Sequence, residues 1–211
     1  MKDKFGEDYF ERGIEMGISC YTNFRWIPEL TIPMAYRIIQ GLQLREGDSV
    51  LDYGCAKGYL TKALRLLGIE AYGCDISKYA IENADPAVHR WLYYMSDQDD
   101  GSPFFRTYDW IITKDVLEHV DAHQLDWILR RSLAAAGRAL HIIPLGKDGE
   151  YVIPEYNKDV THIQIHPEQW WIERFEDAGW KLASFQYSMR GIKENWTKPY
   201  PKGNGFFFLE H

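Results

Sequence analysis

Short apolar runs of strand length alternate with segments of helical periodicity along most of this chain, and this alternation limits the possible folds most strongly. The runs lie between turn signals at 49–53, 69–74, 91–95, 108–113 and 139–143. Leu60, Ala63, Leu64 and Leu67 give one of the intervening helix faces. Parallel strands need crossover connections, which are usually helices. The pattern therefore predicts an α/β, doubly wound sheet with helices on both faces, in a chain whose 211 residues suit one domain.

The two ends of the chain depart from this pattern. A helix is predicted to follow Pro167 and to stop at Gly179, and two strands at 180–187 and 205–209 then suggest an antiparallel pair. Residues 1–46 hold a predicted helix at 33–44 after an aromatic segment, and we expect them to form a helical cap or lid. The main domain is predicted at 47–208, and 209–211 resembles an expression-tag remnant.

Composition and charge narrow the class of protein. The formal net charge is −7, which disfavours nucleic acid and anionic membranes because both attract basic surfaces. The sequence shows no signal peptide and no apolar run of about 18 residues, so we expect no membrane partner. Three cysteines without metal-binding spacing favour a reducing, cytoplasmic location.

A small-residue loop follows the first predicted strand in the segment VLDYGCAKGY at 50–59. Gly54 and Gly58 permit positive φ and leave room for a ligand close to the backbone. In a doubly wound sheet this turn lies at the carboxyl edge, where ligands bind. A tight turn without a ligand would use the same residues, so the loop alone leaves both interpretations open.

Asp75 ends the second predicted strand and lies 17 residues after Gly58. A carboxylate in this position can accept hydrogen bonds from the hydroxyl groups of a ribose. The dinucleotide fingerprint requires three glycines, and here its positions hold Gly54, Ala56 and Tyr59. A nucleoside ligand is therefore favoured, and a nicotinamide-dependent oxidoreductase remains only a minor alternative.

VLDYGCAKG resembles the loop (V/L)LDxGCGxG of the class I S-adenosylmethionine-dependent methyltransferases, with Ala56 in place of the middle glycine. DVLEHV at 115–120 resembles the signature of small-molecule and sugar-type members of that class. The resemblance covers roughly 49–209. It implies a Rossmann-like, seven-stranded, mostly parallel sheet with one antiparallel strand near the C-terminus. It also implies S-adenosylmethionine as cofactor and S-adenosylhomocysteine as product.

The resemblance further implies which residues hold the cofactor. The loop backbone would lie along the methionine part of the cofactor, and Asp75 would hold the ribose hydroxyl groups. Ile76 would flank the adenine and Asp97 would accept a hydrogen bond from its edge. Asp52 would order the loop and the amino group of the cofactor. The complete set of expected cofactor residues is Asp52, Tyr53, Gly54, Cys55, Ala56, Gly58, Asp75, Ile76, Ser96, Asp97, Thr113 and Lys114.

Methyl transfer to a hydroxyl group needs an aligned acceptor and a base that removes its proton. His119 and His162 are the candidate bases and Glu118 is a further candidate catalytic residue, although each histidine could be purely structural. Candidate acceptor-binding residues are Tyr21, Arg25, Lys114 and His162. His162 and His166 form HxxxH, but the alternation with Ile163 and Ile165 predicts an extended segment, so no metal site is expected.

These observations predict an S-adenosylmethionine-dependent methyltransferase that acts on a small molecule or a glycan, with oxygen as the favoured target. The chain lacks the (D/N)PP(Y/F) tetrapeptide of nucleic-acid amino methyltransferases, so a nucleic-acid substrate is disfavoured. A non-catalytic protein that binds S-adenosylmethionine is the main alternative.

Overall fold

The computed structural model describes residues 4–96, 102–104 and 106–211. The strands are β1 (Ser49–Tyr53), β2 (Glu70–Asp75), β3 (Leu92–Tyr94), β4 (Trp110–Lys114), β5 (Arg138–Pro144), β6 (Gly146–Lys147), β7 (Glu150–Tyr151), β8 (Lys181–Gln186) and β9 (Asn204–Glu210). The α-helices are α1 (Glu7–Glu11), α2 (Gly13–Met16), α3 (Pro28–Leu42), α4 (Tyr59–Leu66), α5 (Lys78–Glu82), α6 (Ala122–Ala135), α7 (Glu168–Asp177) and α8 (Glu194–Thr197).

Seven strands form one sheet in the order β3-β2-β1-β4-β5-β9-β8. The strands β1 to β5 pair in parallel, and β9 pairs antiparallel with both β5 and β8. This confirms the predicted Rossmann-like sheet with its antiparallel strand near the C-terminus. The strand order reverses between β1 and β4, which is where ligands bind in such sheets.

Helices cover both faces of the sheet, as predicted. On one face the apolar stripes of α6 and α7 bury Leu125, Leu129, Trp171 and Phe175. On the other face α3 and α4 bury a second cluster that contains Ile38 and Leu64. Because the central strands are apolar on both sides, the two cores fix the sheet, and its carboxyl edge is left for the site.

The structure corrects three details of the sequence prediction. The helix predicted at 33–44 begins at Pro28, with Pro33 inside it. Strand β9 extends through Glu210 and Leu209 is only 1% exposed, so the sheet continues past the boundary expected at 208. A hairpin of β6 and β7 was not predicted, although Asp148-Gly149 between them, with positive φ at both residues, is a typical two-residue turn.

The N-terminal segment lies against the carboxyl edge of the sheet. Tyr9 and Phe10 pack with Ala80 of α5 in a separate apolar cluster. The Ser77 hydroxyl donates to the Phe5 carbonyl at 2.6 Å. These contacts place α1 against α5 and the glycine loop. Over the described residues, no helix has the length and apolar character needed to cross a bilayer.

Candidate active site

The loop after β1 has the backbone that its glycines allow. Gly54 has φ +80° and its N–H donates to the Cys74 carbonyl at 2.8 Å, which ties the loop to β2. Gly58 has φ +73° and precedes the first residue of α4. A Cβ on Gly54 would lie 2.4 Å from a methyl group of Val116. The loop therefore fits closely against the segment that follows β4.

Ala56 occupies the position where the family that this loop resembles usually has glycine. Its φ is +49°, a left-handed conformation that costs an alanine about 1–2 kcal/mol. Its N–H donates to Asp75 Oδ2 at 2.7 Å. This charge-assisted hydrogen bond offsets part of the strain.

Asp75 joins the glycine loop to α5. Its Oδ2 accepts from Ala56 and its Oδ1 accepts from the Ser77 N–H at 2.7 Å. Burial raises the pKa of this carboxyl, and the backbone donors oppose the rise. An ionised carboxylate has about four lone-pair sites, so two remain for hydroxyl groups of a ligand.

Asp52, at the end of β1, faces α4. Its Oδ2 accepts from the Thr61 hydroxyl at 2.9 Å and from the Thr61 N–H at 3.2 Å. Burial raises the pKa of Asp52 to about 6. These contacts tie the end of β1 to α4, directly after the glycine loop.

A cavity of about 1070 Å³ opens at this edge of the sheet. It brings the cofactor candidates together with the segment after β4 and with the N-terminal aromatic segment. The expected residues that line it are Asp52, Tyr53, Gly54, Cys55, Ala56, Asp75, Ile76, Ser96, Lys114, Tyr21, Arg25, Glu118, His119 and His162.

Two of the expected cofactor residues that the structure describes do not line the cavity. Gly58 supports the loop without lining the cavity. Thr113 is 1% exposed, and its hydroxyl pairs with His141 Nδ1 at 2.8 Å inside the core. Because β4 alternates its side chains between the two faces, Thr113 points away from the cavity that Lys114 lines. Asp97 lies outside the described residues.

A partly buried ion cluster lies beside the cavity. Lys114 Nζ lies 2.6 Å from Asp115 Oδ2, and Lys193 Nζ pairs with Asp115 Oδ1. Burial alone would raise the pKa of Asp115, but the two ammonium groups hold it below its usual range. The sequence did not reveal Lys193, because it lies 78 residues from its partner and within no motif.

Glu118 is fully buried at the wall of the cavity. Its carbonyl accepts from the N–H groups of Ile163 and Gln164, at 2.9 and 3.0 Å, which holds the segment of His162 against it. Neither carboxylate oxygen has a hydrogen-bond partner among the described residues. Burial, and next the charge of Asp115, raise the pKa of Glu118 well above its usual range.

His119 is oriented by a chain of hydrogen bonds. Its Nδ1 lies 2.7 Å from Thr161 Oγ1, and that hydroxyl donates to Asp159 Oδ1 at 2.5 Å. The Tyr9 hydroxyl donates to Asp159 Oδ2 at 3.0 Å, so the N-terminal cap takes part. Since the Thr161 proton goes to Asp159, the Nδ1 of His119 carries the hydrogen that Thr161 accepts. Burial, and then His162, lower the pKa of His119 to about 4.

His162 packs edge to face against His119, with ring centroids 4.6 Å apart. Its Nδ1 lies 2.9 Å from the Tyr156 carbonyl and therefore carries a hydrogen, which leaves the lone pair on Nε2. That Nε2 is 4.0 Å from Glu118 Oε1. Burial lowers the pKa of His162, so both imidazoles are neutral near pH 7.

The predicted extended segment is confirmed, since 162–167 has no helix. His166 does not join His162: its Nε2 lies 2.9 Å from Gln164 Oε1, and its ring stacks on Trp170 at 3.7 Å. The residues that sequence reasoning missed around His119 and His162 are Tyr9, Tyr156, Asp159 and Thr161. Only the fold brings these residues to DVLEHV, so no spacing could have found them.

The N-terminal cap reaches the site through Tyr21 and Arg25 and is tied to the glycine loop by Lys57. Burial raises the pKa of Tyr21, whereas Arg25 is exposed at the cavity. Lys57 is 7% exposed and donates to Glu11 Oε1 at 2.5 Å and to the Phe24 carbonyl at 3.0 Å. This lysine therefore fastens the cap to the glycine loop.

A family model described as a methyltransferase domain matches residues 33–184. A mitochondrial ubiquinone biosynthesis O-methyltransferase from Schizosaccharomyces pombe is 35% identical over 81 residues, which are 36% of this chain and 30% of that protein. The chain thus spans under a third of that relative's length.

Solved structures share the fold. An S-adenosylmethionine-dependent methyltransferase from Archaeoglobus fulgidus has a TM-score of 0.63 at 15% identity, over 84% of this chain and 93% of that one. A magnesium protoporphyrin IX methyltransferase from Synechocystis PCC 6803, with bound S-adenosylhomocysteine, has a TM-score of 0.61 at 17% identity. The match covers 99% of this chain and 91% of that one.

Proposed function

We propose that this chain, which belongs to the family of S-adenosylmethionine-dependent methyltransferases, transfers a methyl group to an oxygen atom of a small molecule or a glycan. The observation that carries the proposal is the shared cavity. One wall holds the glycine loop and Asp75, and another holds Glu118, His119 and His162.

The residues present fit the cofactor of this family. The left-handed backbone at 54, 56 and 58 turns the loop toward the cavity, and Asp75 keeps lone pairs for the two hydroxyl groups of a ribose. When bound, S-adenosylmethionine supplies an electrophilic methyl group on its sulfonium. Asp52 keeps the loop in position through its hydrogen bonds to Thr61.

The histidines suit an acceptor that must lose a proton. A hydroxyl group becomes a good nucleophile only when a base takes its proton, whereas a neutral amine already has its lone pair. His162 Nε2 is a lone-pair atom of a neutral imidazole at the cavity wall. Together with the O-methyltransferase similarity at 35% identity, this favours oxygen over nitrogen as the target.

The test is a transfer assay with methyl-labelled cofactor and a panel of hydroxylated small molecules and sugars. The proposal expects label in at least one hydroxylated acceptor and a loss of about 100-fold in kcat in His162→Asn, the contribution typical of a general base. His166→Asn, which changes a histidine outside the cavity, is the matched control. Cofactor binding without transfer to any acceptor would instead indicate a non-catalytic binding protein.

A further inference from the structure

Three side chains with metal-ligating atoms meet at the cavity wall outside the cofactor loop. Glu118, His119 and His162 each offer one ligand atom, and these atoms lie within 4.8 Å of one another. Two come from the segment after β4 and the third from the segment before α7. Two imidazoles and one carboxylate are a common protein ligand set for divalent transition metals.

The carboxylate of Glu118 is the second, independent observation. Its side chain is 0% exposed, and both oxygens are buried without a hydrogen-bond partner among the described residues. A buried polar group in that condition is costly unless a ligand or an ion satisfies it. A cation between Glu118 and the two imidazoles would take one of these oxygens as a ligand and compensate the charge of the carboxylate.

Both histidines already have the supporting contacts that ligating histidines need. A metal-binding imidazole usually donates its other N–H to a carbonyl or to a carboxylate relay. His162 does so to the Tyr156 carbonyl, and His119 does so to Thr161, whose hydroxyl donates to Asp159. Each ring therefore keeps its lone pair on Nε2, and binding through that atom needs no change of tautomer.

The charges around the cluster allow a cation. Asp115, Glu118 and Asp159 supply three carboxylates against the two ammonium groups of Lys114 and Lys193. The net charge of these five groups is −1 when all are ionised, and Lys4, whose Nζ lies 3.4 Å from the Thr161 carbonyl, brings the sum to zero. Asp115 is engaged by the two lysines, and Asp159 Oδ2 lies 3.9 Å from His162 Nε2.

We propose that Glu118, His119 and His162 bind one divalent transition-metal ion at the wall of the acceptor cavity. A tetrahedral ion with bonds of about 2.1 Å sets its ligand atoms about 3.4 Å apart. Glu118 Oε1 and His162 Nε2, at 4.0 Å, would have to approach slightly, which side-chain rotation can supply. Three protein ligands leave at least one position open to the cavity, as in catalytic rather than structural sites.

This inference rests on the proposed function for its role in the reaction. An ion there would hold the acceptor oxygen and lower the pKa of its hydroxyl. The three side chains would then act through the ion, and the acceptor proton would leave to solvent water.

The experiment measures metal binding directly, on protein without a polyhistidine tag that has been dialysed against a chelator. Co²⁺ is titrated and followed by its visible absorption, and Zn²⁺ is then added in competition. The variants are Glu118→Gln and His162→Asn, with His166→Asn as the matched histidine control. Thermal unfolding of each apoprotein shows that the variants remain folded.

The expected result is one Co²⁺ per chain, displaced by Zn²⁺, in the wild type and in His166→Asn. Affinity falls at least 10-fold in Glu118→Gln and in His162→Asn. Equal Co²⁺ affinity in wild type and Glu118→Gln would overturn the inference. Calorimetry with S-adenosylhomocysteine on the same samples separates the two proposals. Cofactor binding and methyl transfer by metal-free protein would refute the metal site and leave the methyltransferase function intact.

Discussion

Replacing Gly58 with alanine tests how tightly the glycine loop is built. The left-handed φ of +73° costs an alanine about 1–2 kcal/mol. The new Cβ would also lie 2.7 and 3.0 Å from the two terminal methyl groups of Leu92. Leu92 is 8% exposed and packs in a small core with Cys55, so relieving the overlap costs about 1–3 kcal/mol more. The total loss of unfolding free energy is about 2–5 kcal/mol.

Gly68→Ala is the matched control, because Gly68 has φ +87° but no atom lies within 4 Å of the point that its Cβ would occupy. It carries the backbone cost alone, about 1–2 kcal/mol. Urea unfolding gives the free energy of each variant, and calorimetry gives its affinity for S-adenosylhomocysteine. We expect weaker cofactor binding only in Gly58→Ala. Equal stability losses and unchanged affinities in the two variants would refute a closely fitted loop.

Three further predictions concern ionisable side chains at or near the core. Asp75→Ala would remove the two hydrogen bonds that we propose to the ribose, each worth about 1.5–3 kcal/mol for a charged acceptor, so calorimetry should show S-adenosylhomocysteine binding at least about 100-fold weaker. Lys193→Met leaves Asp115 with Lys114 as its one cation and should cost about 1–2 kcal/mol in urea unfolding, against under about 0.5 for Lys78→Met in an exposed pair. Burial lowers the pKa of His141 from 6.5 in the unfolded chain to about 3 in the folded chain. Between these two pH values only the unfolded state binds a proton at this histidine. The free energy of unfolding therefore falls as the pH drops, by about 1.4 kcal/mol per pH unit in that window. Urea titrations of the wild type and of His141→Gln at several pH values measure that slope. A difference in unfolding free energy between the two proteins that does not change with pH would contradict the prediction.

The fold was largely predictable because local signals and tertiary structure agree. The strand predicted at 49–53 is confirmed to the residue, and the Ser77 side chain caps α5 by accepting from the Ala80 N–H. The start of α3 was missed because the prediction took the helix to begin at Pro33. Pro28 in fact provides the proline of the first turn, and Pro33 lies in the helix interior at the loss of a hydrogen bond.

Some residues of the candidate site directly follow a predicted strand, and others come from distant parts of the sequence. The glycine loop and the strand-end Asp75 could be predicted, since each follows its strand directly. Lys193 and Thr161 could not be predicted, because their contacts with Asp115 and His119 join segments 78 and 42 residues apart. Thr113 was misplaced for a different reason: alternation along β4 turns it into the core.

The central claim is that this cavity binds the methyl donor through the glycine loop and Asp75. Isothermal titration of the wild-type chain with S-adenosylhomocysteine tests it most directly. The account predicts one site per chain with a measurable heat, and a loss of that heat in Asp75→Ala while thermal unfolding shows the variant still folded. The absence of binding to the wild-type chain, or equal affinity in the folded Asp75→Ala variant, would contradict it.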